Sequence, residues 1–187
     1  VFKAAIKNIA PYRIKVNFNG IGEPLLDRNL PDRIAYACSQ GIDQIGMVTN
    51  GLLLTPRIAG ELIAAGIKRI TISLDGNDQH SYESGHTGAD YETVVSNIEG
   101  LVSLKKKLSA DSLDVVLRVT VQKSNLAVIP NIFMRWQDKV TAICVNFVYQ
   151  YGNAITESAL PYRWQERVPC PKLLSTMMVL TNGDATI

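Results

Sequence analysis

Cysteine, long apolar runs and an excess of charge of one sign are all scarce in this sequence. Its 3 Cys, at positions 38, 144 and 170, lie far apart, which argues against a disulfide framework. We therefore predict a protein of the reducing cytoplasm, in which Cys38 and Cys144 are buried as small apolar side chains. No apolar run approaches the roughly 20 residues that a membrane-spanning helix needs, so we expect no membrane partner.

Basic residues hardly outnumber acidic ones, and the net charge is +2. The one basic cluster, at 105–107, is predicted to be the solvated end of a helix, where the helix dipole favours cations. This charge pattern indicates no nucleic-acid partner. His80 and His86 have no supporting ligand spacing, so the sequence contains no zinc pattern.

Hydrophobic residues make up 47% of the sequence and charged residues 19%, as in a globular domain with a core. Their spacing alternates between the period of strands and the period of helices. Thr55 and Pro56 are predicted to begin one helix, which Gly66 ends, and Gly41 to follow another. The predicted strands are 13–18, 44–49, 69–74, 113–121 and 141–148, and the other predicted helices are 29–40, 91–107 and 125–136. In the last of these, Pro130 indicates either a late start or a kink.

Strands that recur at intervals of roughly 25 to 45 residues, with helices between them, are typical of βαβ units and of a parallel sheet. We therefore predict an α/β fold. The alternation stops after 152, and the segments STMMVL and ATI on either side of TNGD predict a β-hairpin. The sequence begins at Val1 within a predicted helix and ends at Ile187 within a predicted strand, so we expect a piece of a longer protein.

In parallel α/β folds ligands bind at the carboxyl ends of the strands, and these ends carry distinctive residues here. Gly20, Gly22 and Glu23 follow the first strand. The glycines allow a ligand to approach the backbone, and the carboxylate can accept hydrogen bonds from an ammonium group. Ser73 and Asp75, after the third strand, could hold ribose hydroxyls. These strand ends predict a site for a small, amine-bearing ligand.

Each of these features also has a purely structural interpretation. The segment around Glu23 could be a tight turn whose Pro24 leads the next helix. Asn50 and Gly51, after the second strand, form a common turn pair. Asp75 could form an Asx-turn or cap the helix that follows Gly76. The residues by themselves leave both interpretations open.

Four segments together resemble the radical S-adenosylmethionine (radical SAM) enzymes, in the branch with a C-terminal SPASM or Twitch domain. They occur in that family's order and spacing: NGIGEPLL at 19–26, TNGLLL at 49–54, AGIKRITISLDG at 65–76 and YETVVSNIEGL at 91–101. The resemblance implies a partial (β/α)6 barrel, TIM-like with parallel strands, that is incomplete here. Its second to sixth strands would lie within 1–152, a connector within 153–169, and the start of the SPASM/Twitch domain within 170–187.

The resemblance also implies a cofactor and its contacts. Gly20, Gly22 and Glu23 match the turn that binds the amino group of S-adenosylmethionine (SAM). Ser73 matches a polar contact to the ribose of SAM, and Asn50 would face the same cavity.

Iron–sulfur clusters are the second implied cofactor. Cys170 would be a ligand of an auxiliary cluster, because SPASM and Twitch domains begin with a cysteine ahead of a hairpin. The family's CxxxCxxC motif, which holds the [4Fe–4S] cluster that reduces SAM, is absent from the 187 residues. We expect those ligands to lie outside this chain. His86 stands near the place where many relatives carry an arginine that contacts SAM.

The implied activity is the reductive cleavage of SAM to a 5′-deoxyadenosyl radical that abstracts hydrogen from a peptide or small-molecule substrate. An electron donor such as flavodoxin or ferredoxin is the implied partner. Two alternatives stay open. One is a non-catalytic barrel that binds SAM or a partner without a cluster, as the missing motif suggests. The other is an unrelated barrel enzyme for a phosphorylated sugar, although no glycine-rich phosphate loop opens a late helix.

Overall fold

A computed structural model of the chain describes residues 1–19, 22–83, 90–122, 124–147, 175–180 and 184–186. Its main sheet consists of β1 Val16–Phe18, β2 Ile45–Thr49, β3 Arg69–Ser73, β4 Asp114–Val121 and β5 Ala142–Phe147. All neighbouring strands are parallel, and their order in the sheet is their order in the sequence. The predicted α/β class is confirmed, in the form of a partial TIM-like barrel.

Helices lie between the strands, as the sequence periodicity predicts. The longest, Tyr91–Lys107, has the predicted bounds, and the basic cluster occupies its last turn. A short helix at Gln79–Glu83 was not predicted, because its polar sequence has no apolar period. Its first turn is held by Asp78, which accepts a hydrogen bond from the Ser81 amide at 2.8 Å. The helices are α1 Phe2–Ile9, α2 Leu30–Ser39, α3 Pro56–Ala65, α4 Gln79–Glu83, α5 Tyr91–Lys107 and α6 Ile129–Trp136.

Local signals fix most of the element ends. The Thr55 hydroxyl accepts a hydrogen bond from the Ile58 amide and caps α3, whose end is followed by Gly66 at a φ of 100°. Pro130 lies in the first turn of α6, so the late start that it indicates is confirmed, and the helix does not kink there. β1 is shorter than predicted because Arg13 adopts the left-handed conformation, with a φ of 49°, and this interrupts the extended backbone.

The two faces of the main sheet differ in character. Paired residues of parallel strands point to the same side, so the register places Ile72 and Leu117 on one face. Both are fully buried in a single apolar cluster that also contains Leu62 of α3 and Ile98 of α5. This face therefore packs against the helices and forms the core.

The opposite face, which we call the inner face, carries polar residues. Ser73, Arg118 and Cys144 stand side by side on β3, β4 and β5. Cys144 is exposed, so the expectation that it is buried is wrong. It lies on the edge strand, on the face that the helices do not cover. Cys38, on α2, is partly buried against Gly66, and burial raises the pKa of its thiol.

The predicted C-terminal hairpin is confirmed. β6 Met178–Val179 pairs antiparallel with β7 Ala185–Thr186, and the turn between them lies outside the described residues. Across the part of the chain that the structure describes, no helix has the length and apolar character needed to cross a bilayer.

Candidate functional site

The loop after β1 brings Glu23 to the carboxyl end of the sheet. Gly22 has a φ of 120°, which L side chains rarely adopt, and no heavy atom of the described residues, its chain neighbours aside, lies within 4 Å of the place where a Cβ would stand. Glycine is thus required here by the backbone, and it leaves open space at the position next to Glu23 in the chain. Pro24 begins a short 3₁₀ helix that Glu23 caps. The structural interpretation of this segment, a turn with a leading proline, is therefore correct.

Glu23 does more than cap that turn. One carboxylate oxygen accepts from the Leu25 amide at 3.1 Å and from the Thr49 hydroxyl at 2.7 Å, and the other accepts from the Asn50 amide at 2.8 Å. These bonds join the loop after β1 to the end of β2. A carboxylate has about four acceptor positions, and donors from the described residues occupy three of them, which leaves one for a further donor. Because the side chain is only partly buried, that donor can come from a ligand.

The end of β2 forms a rigid turn around the same carboxylate. Thr49 is buried, and its hydroxyl accepts from the Gly51 amide while donating to Glu23. The Asn50 side chain accepts from the Leu52 amide at 3.0 Å, which confirms the turn interpretation of this pair. Gly51 has a φ of 83°, and a Cβ there would lie 2.9 Å from Ile72, so no larger residue fits.

Asn97, which the sequence reasoning missed, holds this turn from the helix side. It is buried on α5, and its amide nitrogen donates to the Gly51 carbonyl at 2.9 Å and the Leu52 carbonyl at 3.1 Å. The signal was present, because Asn97 lies among buried apolar residues such as Val94 and Ile98. A polar residue on an apolar helix face needs a hydrogen-bond partner.

Asp75 lies at the end of β3, as predicted, but it is buried. Its carboxylate accepts from the Thr120 amide of β4, and its carbonyl accepts from the Asn125 side chain at 2.9 Å. Asp75 does not cap the helix that follows, since Asp78 takes that place. The helix-cap alternative for Asp75 is therefore wrong. Contact with a ribose hydroxyl stays a prediction.

Tyr82 of α4 contacts the turn that follows β2. Its side chain is fully buried, and its hydroxyl lies 3.5 Å from the Asn50 carbonyl. Burial raises the pKa of Tyr82 to about 12, and the nearby Asp75 charge adds to this effect. The phenol is therefore neutral at physiological pH and acts as a hydrogen-bond donor.

Ser73 lies on the inner face, and its hydroxyl accepts from the Arg118 guanidinium at 3.1 Å. Three other residues of interest, Gly20, His86 and Cys170, lie outside the described residues. Among the residues that are described, no three His, Cys, Asp or Glu side chains come together as a metal site. Cys38 and Cys144 lie on different elements and do not fit a cluster.

The family model of the radical SAM superfamily matches residues 1–123. The chain belongs to the radical SAM superfamily. The probable GTP 3′,8-cyclase of Methanococcus maripaludis is 38% identical over 96 residues, which are 49% of this chain and 32% of that protein. The Fe-coproporphyrin III synthase of Methanosarcina barkeri is 30% identical over 144 residues, which are 76% of this chain and 34% of that protein. This radical SAM chain therefore spans about a third of the length of these curated relatives.

A solved structure shares the fold of this radical SAM domain. It is a domain of the pyruvate-formate lyase-activating enzyme from Bacteroides vulgatus, with a TM-score of 0.54 at 19% identity. The match covers 74% of this chain and 82% of that one.

Proposed function

We propose that this chain is the core of an enzyme that cleaves SAM reductively and uses the resulting radical on a peptide or small-molecule substrate. When bound beside a reduced iron–sulfur cluster, SAM supplies the 5′-deoxyadenosyl radical that abstracts hydrogen. The proposal rests above all on Glu23, whose carboxylate is fixed at the strand ends with one acceptor position left for an ammonium group. Membership of the superfamily supports it.

The residues of this chain would bind and orient the cofactor. Glu23 would accept from the amino group of SAM, and the space beside Gly22 would admit it. Ser73 and Asp75 would hold the ribose, and Asn50 would line the same cavity. Gly20, by the family resemblance, would complete the turn.

We further propose that the protein belongs to the SPASM/Twitch branch. The hairpin of β6 and β7 supports this, because that branch begins its auxiliary domain with a cysteine followed by a hairpin. Cys170 would be a ligand of the auxiliary cluster, with residues 1–152 as the core, 153–169 as the connector and 170–187 as the start of the auxiliary domain. The ligands of the [4Fe–4S] cluster would come from outside this chain, and flavodoxin or ferredoxin would supply the electron.

Glu23→Gln in the anaerobically reconstituted full-length protein tests the central assignment. The amide has one acceptor oxygen instead of two, its NH₂ group faces other donors, and it has no charge for an ammonium group. We expect SAM to bind at least about tenfold more weakly, because hydrogen bonds to charged groups contribute about 1.5–3 kcal/mol. The formation of 5′-deoxyadenosine with dithionite should fall accordingly.

Asp27→Asn is the matched control, because Asp27 is a carboxylate of the same loop that pairs with Arg33 at 2.6 Å on the surface. It should leave SAM binding unchanged.

Unchanged 5′-deoxyadenosine formation in Glu23→Gln would contradict the role of Glu23. A wild-type protein that binds no iron after reconstitution would favour the non-catalytic alternative. Iron beyond a single [4Fe–4S] cluster would support the auxiliary cluster.

A further inference from the structure

Asn97 connects helix α5 to the turn that follows β2, although 46 positions in the sequence separate it from Gly51. An asparagine side chain has two N–H groups, and here one donates to the Gly51 carbonyl at 2.9 Å and the other to the Leu52 carbonyl at 3.1 Å. Both donors are therefore used within the fold. Any role of Asn97 at the ligand site must be exercised through the turn that it holds.

That turn has little room to move. A Cβ at Gly51 would lie 2.9 Å from a methyl group of Ile72 on β3 and 3.2 Å from a methyl group of Val94 on α5. Val94 and Asn97 lie three residues apart, so they stand on the same face of α5. The packing at Gly51 and the two hydrogen bonds of Asn97 together fix the position of the turn relative to the helix.

The same turn supplies donors that orient the Glu23 carboxylate. The Thr49 hydroxyl donates to it at 2.7 Å and the Asn50 amide at 2.8 Å, whereas the Leu25 amide belongs to the loop of Glu23 itself. The Thr49 hydroxyl also accepts from the Gly51 amide at 3.0 Å, which leaves its own hydrogen directed at Glu23. Since hydrogen bonds weaken steeply with poor geometry, a shift of the turn would loosen the carboxylate.

We propose that Asn97 is a positioning residue for the ligand that Glu23 binds. The proposal rests on the proposed function, in which that ligand is SAM and Glu23 accepts from its amino group. Without the donors of Asn97 the turn relaxes, and the carboxylate is no longer held in one orientation. The ligand must then order the carboxylate when it binds, which weakens the affinity about three- to tenfold.

The first experiment measures the affinity of the full-length protein for SAM and for the SAM analogue in which hydrogen replaces the amino group. Asn97→Leu removes both donors and suits the apolar surroundings. It weakens SAM binding about three- to tenfold and leaves the analogue within about 1.5-fold. In a Glu23→Gln background Asn97→Leu adds no further loss, because the group through which it acts is already changed.

Asn125→Leu is the matched control. Asn125 is also buried, and its amide donates to the carbonyls of Asp75 and Thr120 at 2.9 Å each. Its loss destabilises the fold in a similar way, so any change in affinity is the same for both ligands. Asn97→Ser, which opens room for water beside the two carbonyls, repeats the test with a smaller loss of stability if Asn97→Leu does not fold.

The second experiment needs no ligand and follows the ¹³C-labelled glutamate carboxylates of the full-length protein by NMR. The Glu23 signal is assigned by its absence in Glu23→Gln. Asn97→Leu shifts or broadens this signal, and Asn125→Leu does not. An unchanged Glu23 signal in Asn97→Leu, or an equal loss of affinity for the two ligands, overturns the proposal. A wild-type protein that does not prefer SAM to the analogue contradicts the proposed function, and the NMR result then decides the role of Asn97 by itself.

Discussion

The same pattern of hydrogen bonds connects the end of β1 to the end of β2 and the end of β3 to β4, but the two differ in burial. We call the connection through Glu23 the first tie and the connection through Asp75 the second tie. In each, a carboxylate after one strand accepts from a backbone amide of the next: Glu23 from Asn50, and Asp75 from Thr120. In each, the side-chain amide of an asparagine donates to two backbone carbonyls. Asn97 bridges Gly51 and Leu52, and Asn125 bridges Asp75 and Thr120.

The difference lies in burial. Asp75 is 8% exposed, whereas Glu23 is partly exposed beside the open space at Gly22. A carboxylate at a strand end can thus stabilise the fold, bind a ligand or do both. Its exposure to solvent determines which of these roles is the larger. We infer that the first tie is adapted to ligand binding and the second to stability.

The largest effect on the free energy of unfolding is expected from Asn97→Asp, which removes the amide that donates to two carbonyls in the first tie. The new carboxylate would face the Gly51 and Leu52 carbonyls, and a buried charge without a partner costs about 3 kcal/mol or more. Its pKa would be raised in the folded state, so the loss of stability should shrink as the pH falls below that raised pKa towards about 3.9, the pKa of an unfolded aspartate.

Denaturant unfolding of the full-length protein at pH 7 and at pH 4.5 measures this effect. Asn97→Leu is the control, since it loses the donor without adding a charge and should show no such dependence on pH. A free energy of unfolding of Asn97→Asp within about 0.5 kcal/mol of wild type at pH 7 would rule out the bridge as a stabilising element.

The same change at both carboxylates tests the comparison directly. Asp75→Ala leaves the Thr120 amide without its partner in a buried place, and we expect a loss of about 2 kcal/mol. Glu23→Ala exposes its donors to water and should cost about 1 kcal/mol or less, but SAM should no longer stabilise the variant. Thermal unfolding with and without SAM separates the two results. Equal losses of stability would show that burial does not distinguish the ties.

Much of the fold could be predicted, because the strands, the helices and their caps depend on local patterns. The Tyr91–Lys107 helix and the Thr55 cap are instances, and Glu23 was identified from its place after a strand. The partners of these groups could not be predicted. The bond from Thr120 to Asp75 depends on the register of β3 and β4, which joins residues 45 positions apart.

Two functional candidates were missed for related reasons. Asn97 was counted as part of an amphipathic helix, although a polar residue on its buried face required a partner. Arg118 stands alone in a β-rich segment, where a charge is usually a sign of solvent exposure. Only the register, which sets it beside Ser73 on the inner face, shows that it lies inside the fold and where its hydrogen-bond partner is.

The smallest effect is expected from Tyr82→Phe, which removes the hydroxyl that lies 3.5 Å from the Asn50 carbonyl between the two ties. At pH 7 this long bond should contribute no more than about 1 kcal/mol to the free energy of unfolding.

At alkaline pH, Tyr82→Phe should also change how the free energy of unfolding depends on pH. An unfolded tyrosine loses its proton near pH 10, whereas Tyr82 keeps it in the folded protein up to about 12. Between these values the unfolded state binds fewer protons, so the stability of the wild type should fall as the pH rises. Tyr82→Phe should lose this part of the decline, and Tyr12→Phe, at a site 76% exposed, should keep it. Denaturant unfolding between pH 9 and about 11.5 makes the comparison. Identical slopes for the two variants would mean that burial does not raise the pKa of Tyr82 in the folded protein.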